Sequence, residues 1–183
     1  MIEFIKSFEG IIGTVIGVLL GSLISFFSKK YGRISYFVNS IEIRFEKNID
    51  GSIEKMPLDI ETQYASLKLD IDIYNSSDSI KVIRDIKLRF ESKTNNFTKD
   101  ISDLSTERRS NVFVNYDKLK HINLFPQVND NYELKVYFDP EEIPTFISNN
   151  YSVYFVGKKP RFIFSKSKIF LGNIINGEVK NRI

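Results

Sequence analysis

Cysteine and tryptophan are absent from the 183 residues, and His121 is the only histidine. Without cysteine there is no disulfide, thiolate nucleophile or cysteine zinc site, and one histidine leaves no ordinary zinc ligand set. The sequence also lacks G-x-x-x-x-G-K-[ST], G-x-G-x-x-G after a strand, G-x-S-x-G and H-E-x-x-H, so no phosphate-cradling loop, nucleophile elbow or zinc helix points to catalysis. Charge of one sign is scarce as well. Of the net +3, residues 1–28 contribute −1 and the trio Lys29, Lys30 and Arg33 contributes +3, leaving +1 from Ile34 onward. A protein that holds nucleic acid by phosphate attraction carries a larger, clustered excess, so no nucleic-acid partner is expected.

One long uncharged run is present, IIGTVIGVLLGSLISFF from Ile11 to Phe27. At 1.5 Å per residue it spans roughly 25 Å, and Phe8, Gly10 and Ser28 bring it close to the roughly 20 residues that cross a bilayer. The expectation is a single transmembrane helix, with Ile11, Gly13, Val15, Leu19, Leu20, Leu23, Phe26 and Phe27 in the span and the bilayer as partner. Lys29, Lys30 and Arg33 follow the run, and basic residues are retained on the cytoplasmic side. That predicts a cytoplasmic domain behind a single-pass anchor. A cleaved signal peptide is disfavoured, because the residues before the run are net acidic and no small-residue cleavage site ends it. Gly13, Gly17 and Gly21 repeat every four residues, a spacing that lets helix backbones approach closely and predicts self-association.

Beyond residue 32 the apolar period changes from helical to alternating. Ile41, Ile43 and Phe45, then Leu67, Leu69, Ile71 and Ile73, then Ile86, Leu88 and Phe90 each alternate with polar residues, as half-buried strands do. Val112 with Val114, Leu134 with Val136 and Phe138, Val153 with Phe155, and Phe162 with Phe164 continue the pattern. Asn75-Ser76-Ser77-Asp78-Ser79 and Asn129-Asp130-Asn131 read as turns. Asp139-Pro140-Glu141-Glu142 reads as the start of a short helix. Roughly seven or eight short strands with no long helical period predict an all-β antiparallel sandwich over 32–183, behind an N-terminal unit of 1–31. A closed β-barrel is the alternative.

The segment LKLDIDIYNSSDSIKVIRDIKLRF, Leu67 to Phe90, resembles the strand-turn-strand unit of small Ig-like bacterial domains. INLFPQVNDNYELKVYF, Ile122 to Phe138, looks like the proline-containing turn before their next paired strand. With the apolar run in front, the layout is similar to uncharacterised single-pass proteins of phages and prophages, some of which act in superinfection exclusion. The resemblance implies an Ig-like architecture and a phage-linked setting, without a catalytic motif. The expected function is therefore non-enzymatic binding of an unidentified protein partner, with no cofactor. A membrane-disrupting effector with a β-domain sensor is a second expectation.

A third is a metal-dependent enzyme built on Asp70 and Asp72, since paired carboxylates can bridge a divalent cation to phosphate oxygens. Both acids fall opposite the apolar face of their strand. A solvated row paired with Lys87 and Arg89 explains them better. His121, between Lys120 and Ile122, reads as a surface histidine. Lys158, Lys159, Arg161, Lys166 and Lys168 make the C-terminal third locally basic.

Overall fold

The alternation of Leu67, Leu69, Ile71 and Ile73 forms the most buried strand of the protein, with all four side chains fully enclosed. A computed structural model describes residues 2–49, 52–56, 62–110, 114–158 and 166–180. Helix α1 (Ile2–Tyr31) leads into β1 (Ile34–Ile49), β2 (Ser52–Met56), β3 (Tyr64–Asn75), β4 (Lys81–Glu91), β5 (Asn96–Asp100) and β6 (Ser102–Asp103). After a 3-10 turn come β7 (Arg108–Arg109), β8 (Val114–Asn115), β9 (His121–Leu124) and β10 (Asn129–Phe138). Helix α2 (Ile143–Ser148), β11 (Tyr151–Lys158), β12 (Lys166–Ile175) and β13 (Glu178–Lys180) complete the described chain.

Two antiparallel sheets face each other as a sandwich, so the closed barrel does not form. One has the order β2-β1-β3-β10-β6; the other runs β13-β12-β11-β4-β5, with β9 also paired to β4. Their facing sides supply the core: Leu67, Leu69, Ile71, Ile73, Leu134 and Val136 from the first, Ile83, Leu88, Phe90, Val153 and Phe155 from the second. Removing this apolar area from water is what holds the sheets together.

Strand β4 departs from simple alternation, because Ile83 and Ile86 are both buried although three residues apart. Asp85 between them has φ 52°, and the register with β11 shifts there between Val156 and Lys158. This bulge turns the strand by one position and returns Ile86 to the core face. Aspartate tolerates the left-handed backbone better than most residues. Opposite it, a Cβ on Gly157 would lie 2.6 Å from Ile83 Cγ2, so the close strand approach needs glycine at 157.

At one end of the sandwich α2 inserts Phe146 against Phe138, Phe90 and Tyr151, with centroids 4.2, 5.9 and 5.7 Å away. Asp139-Pro140-Glu141-Glu142 is not the first turn of that helix but a turn before it. Glu142 N donates to Asp139 O, and Pro144 occupies the opening helical turn. Lys99 bridges Asp139 at 3.0 Å and Glu142 across this turn. Burial alone would lower the Lys99 pKa, but these hydrogen bonds outweigh it and hold the ammonium above its ordinary range. Asn129-Asp130-Asn131 is likewise not a turn, since β10 begins at Asn129 and pairs with Tyr74 of β3.

The single-pass membrane placement is overturned. Among the described residues no helix is long and apolar enough to cross a membrane. The cytoplasmic orientation drawn from Lys29, Lys30 and Arg33 falls with it, as does the membrane-disrupting effector. Residues 2–31 are helical.

Candidate interaction surface

Only Gly32 and Arg33 separate α1 from β1, and this joint is tied to the turn after β3. Ser76 N donates to Arg33 O at 2.9 Å, Arg33 N donates to Ser76 Oγ at 2.7 Å, and Lys81 Nζ donates to Gly32 O at 2.7 Å. Ser79 Oγ reaches Lys30 O at 3.4 Å. A Cβ on Gly32 would sit 2.4 Å from Ser77 N and 2.5 Å from Ser77 Cα. Backbone cannot yield as a side-chain end can, so glycine is required here.

Behind the joint lies Asn75, fully buried, whose carboxamide holds the Ser77–Ser79 turn and the β9–β10 connection together. Those two loops carry exposed apolar side chains, Ile80 (58%), Phe125 (53%) and Val128 (40%). Both loops are tied to the joint, the first directly through Ser76 and Ser79 and the second through Asn75.

From Ile12 to Phe27 the helix is apolar and exposed. Ile12, Val15, Ile16, Val18, Leu19, Leu20, Leu23, Ile24, Phe26 and Phe27 are exposed by between 47% and 69%. Uncovered apolar surface on this scale marks a contact site. Gly13, Gly17 and Gly21 lie on one helix face, and a Cβ at any of them would meet nothing within 4 Å. Lys30 holds its ammonium 5.5 Å from the Phe26 ring. The side chains of Ile11 and Lys29 lie outside the described residues, and Arg33 engages the joint through its backbone.

Asp70 and Asp72 do share the outer face of β3, but they do not meet Lys87 and Arg89. Those cations belong to the opposite sheet, where Lys87 pairs with Asp100 and Arg89 with Glu91. Asn131 Nδ2 donates to Asp70 Oδ1 at 2.7 Å and to Asp72 Oδ1 at 2.8 Å, and Asn39 donates to Asp70 at 3.1 Å. The Asn131 bond, reinforced by Asn39 and Asn129, holds the Asp72 carboxyl below its usual range. Neutral amides thus occupy the acids where cations were expected. Among the described residues no group of three or more His, Cys, Asp and Glu side chains could hold a metal ion.

His121 is exposed on β9, opposite Arg84. Lys158 pairs with Asp85 at 2.7 Å, and Lys168 pairs with Glu91 while lying 3.9 Å from the Tyr154 ring centroid. Lys159, Arg161, Phe162, Phe164 and Val112, and the side chain of Lys166, lie outside the described residues. Sequence reasoning missed Gly32 and Asn75. The turn signal at Asn75 was visible, but nothing in one sequence shows that its amide is buried.

The family model for YopI Ig-like domains matches residues 32–161. The SPβ prophage-derived uncharacterized protein YopI of Bacillus subtilis (strain 168) is 34% identical over 125 residues, covering 67% of this chain and 71% of that protein. Among solved structures, an uncharacterized β-sandwich protein from Clostridium difficile 630 aligns over 76% of this chain and 86% of its own, at 13% identity and a TM-score of 0.38. A protein from Archaeoglobus fulgidus aligns over 74% and 91%, at 7% identity and a TM-score of 0.40.

Proposed function

Because the chain belongs to the YopI Ig-like domain family, we propose that it is a non-enzymatic binding protein whose sandwich presents α1 to an apolar partner helix. One observation carries this reading: the side chains from Ile12 to Phe27 are exposed while the sandwich interior is already filled by its own residues. Burying apolar surface is the dominant drive for association. The open glycine face of Gly13, Gly17 and Gly21 lets a second helix approach backbone to backbone, and α1 of another copy offers the same face. The rigid joint at Gly32 and Arg33 fixes where the helix points, which reduces the ordering cost of binding. The prophage origin of the relative supports a phage-linked role, and exclusion of a second phage is the form proposed.

Chemical cross-linking and sedimentation of the full chain test the contact. Self-association that survives Gly17→Ala but is lost in Gly17→Leu supports it. A protein that stays monomeric at every concentration, or that instead partitions onto lipid vesicles as a monomer, overturns the helix partner. Expression in a sensitive host, followed by measurement of phage DNA injection, tests the biological role. Normal injection by every phage tried would remove exclusion.

A further inference from the structure

On the far sheet, β4 and β9 carry an open recess of about 400 Å³ lined by Val82, Arg84, Asp85, Lys120, His121 and Asn123. Arg84 lies directly opposite His121, and Val82 opposite Asn123. Ile83 and Ile122 point the other way into the core, so Arg84 and His121 share the outer face. The bulge at Asp85 completes the recess: its φ of 52° lets Asp85 N donate to Lys120 O at 3.0 Å, which ties the segment before β9 to the strand.

The charges of the recess do not balance internally. Nearby cations are matched, with Lys87 and Lys118 on Asp100, and Arg89 and Lys168 on Glu91. Among the described residues neither Arg84 nor Lys120 forms an ion pair. The one acid lining the recess, Asp85, is engaged by Lys158 of β11 at 2.7 Å. Asp85 also feels the Arg84 charge, so one carboxylate faces three cations, and Arg84, Lys120 and the His121 imidazole line the recess with positive charge in excess.

We propose that this recess binds a phosphate-type oxyanion. The planar guanidinium of Arg84 offers paired donors in a fixed fork, the Lys120 ammonium adds a point charge, and His121 and Asn123 supply further N–H donors. The near-neutral balance of the domain as a whole favours one discrete oxyanion over an extended nucleic-acid backbone, which needs a track of positive charge. At about 400 Å³ the recess has room for the phosphate and for part of whatever carries it.

Nuclear magnetic resonance of the full chain at constant pH and ionic strength tests this, following the His121 ring and Asn123 amide signals. Inorganic phosphate and O-phosphoserine are the two probes, with chloride as the control. Saturable shifts with the phosphates and none with chloride support the site. Tighter binding of phosphoserine assigns it to a phosphomonoester, and tighter binding of inorganic phosphate to the free ion. Arg84→Gln should weaken binding by about tenfold or more, the size of a charge-assisted hydrogen bond. Arg84→Lys should keep part of the affinity. Equal shifts with chloride, or full binding by a folded Arg84→Gln/Lys120→Gln variant, would overturn the assignment.

Discussion

Asn75 Nδ2 donates to the main-chain carbonyl of Leu124 at 3.1 Å, joining the end of β3 to the end of β9 from a fully buried position. The same nitrogen reaches Ser79 O at 2.9 Å and Phe125 O at 3.2 Å. Its Oδ1 accepts from Ser77 N at 3.1 Å and Ser77 Oγ at 2.6 Å. The backbone joins in, with Asn75 N donating to Val128 O and Gln127 N donating to Asn75 O. One side chain thus satisfies main-chain groups where the strand ladders run out. It also underlies the joint that carries α1, so packing at this end of the sandwich sets the presentation of the helix.

Replacing Asn75 by alanine takes the side-chain donor from the carbonyls of Leu124 and Phe125 and the side-chain acceptor from Ser77 N, while Ser77 Oγ keeps its bond to Ser79 O. Each such loss costs about 1–3 kcal/mol, so the expected destabilisation is about 3 kcal/mol or more. Asn75→Asp is expected to be at least as damaging, because a carboxylate would face the carbonyls of Ser79, Leu124 and Phe125. Urea unfolding checks this. A midpoint close to that of the parent protein would remove the node from the account.

Glycine in the joint and glycine in the helix should respond in opposite ways. Gly32→Ala pushes a methyl group against the Ser76–Ser77 backbone and is expected to lower stability by about 1–3 kcal/mol. Gly17→Ala meets no atom within 4 Å and replaces a poor helix former by the best, with an expected gain in helicity worth up to about 1 kcal/mol. Circular dichroism during thermal unfolding separates the two. Equal effects would mean the joint is looser than its contacts imply.

The elements most legible in the sequence are those whose burial follows a simple period. In β3 every second residue from Leu67 to Ile73 is apolar and enclosed, and β10 repeats the rule at Leu134, Val136 and Phe138. The first strand of the far sheet was only half legible. Ile86, Leu88 and Phe90 kept the period, but Ile83 fell out of phase, and only the left-handed backbone at Asp85 explains how it reaches the core. Polar residues hid β5: Asn96 to Asp100 contains one apolar side chain, Phe97, which stacks on Phe90 at 4.8 Å. The sheet to which Asp70 and Asp72 belong could not be read locally, so their partners were misassigned. The apolar character of α1 was plain, whereas what covers it is a question of contacts that lie outside the chain's own pattern.

Phe146 closes the end of the core away from α1, almost fully buried against the rings of Phe90, Phe138 and Tyr151. Truncation to alanine removes the ring and leaves a cavity, with an expected cost of about 3–5 kcal/mol. Phe146→Leu keeps much of the volume and should cost less. Because α2 lies far from the Gly32 joint, the loss should add to that of Gly32→Ala within about 0.5 kcal/mol. A double variant measured in urea checks both statements. Strong coupling would show that the two ends of the sandwich are not energetically independent.

High pH gives a separate test of packing on the inner face of the first sheet, where Tyr132 lies against the core opposite Ile71. Burial, with help from the carboxylates of Asp130 and Asp103, pushes the Tyr132 hydroxyl up to about 12 from its ordinary 10.0. The folded protein therefore holds the neutral phenol more firmly than the unfolded chain does. Its contribution is fully present below pH 10 and is lost as pH rises through about 12, because the unfolded state gives up the proton first. Tyr137 is also pushed up to about 12, but its ring is 48% exposed and solvent screens its effect. Stability should thus be flat up to pH 10 and fall beyond it, and Tyr132→Phe should flatten that fall by removing the titrating hydroxyl. Following unfolding and tyrosinate absorbance together over this range checks the assignment. An alkaline decline of unchanged slope in Tyr132→Phe would show that another group drives it, and Tyr137→Phe would then be the variant to compare.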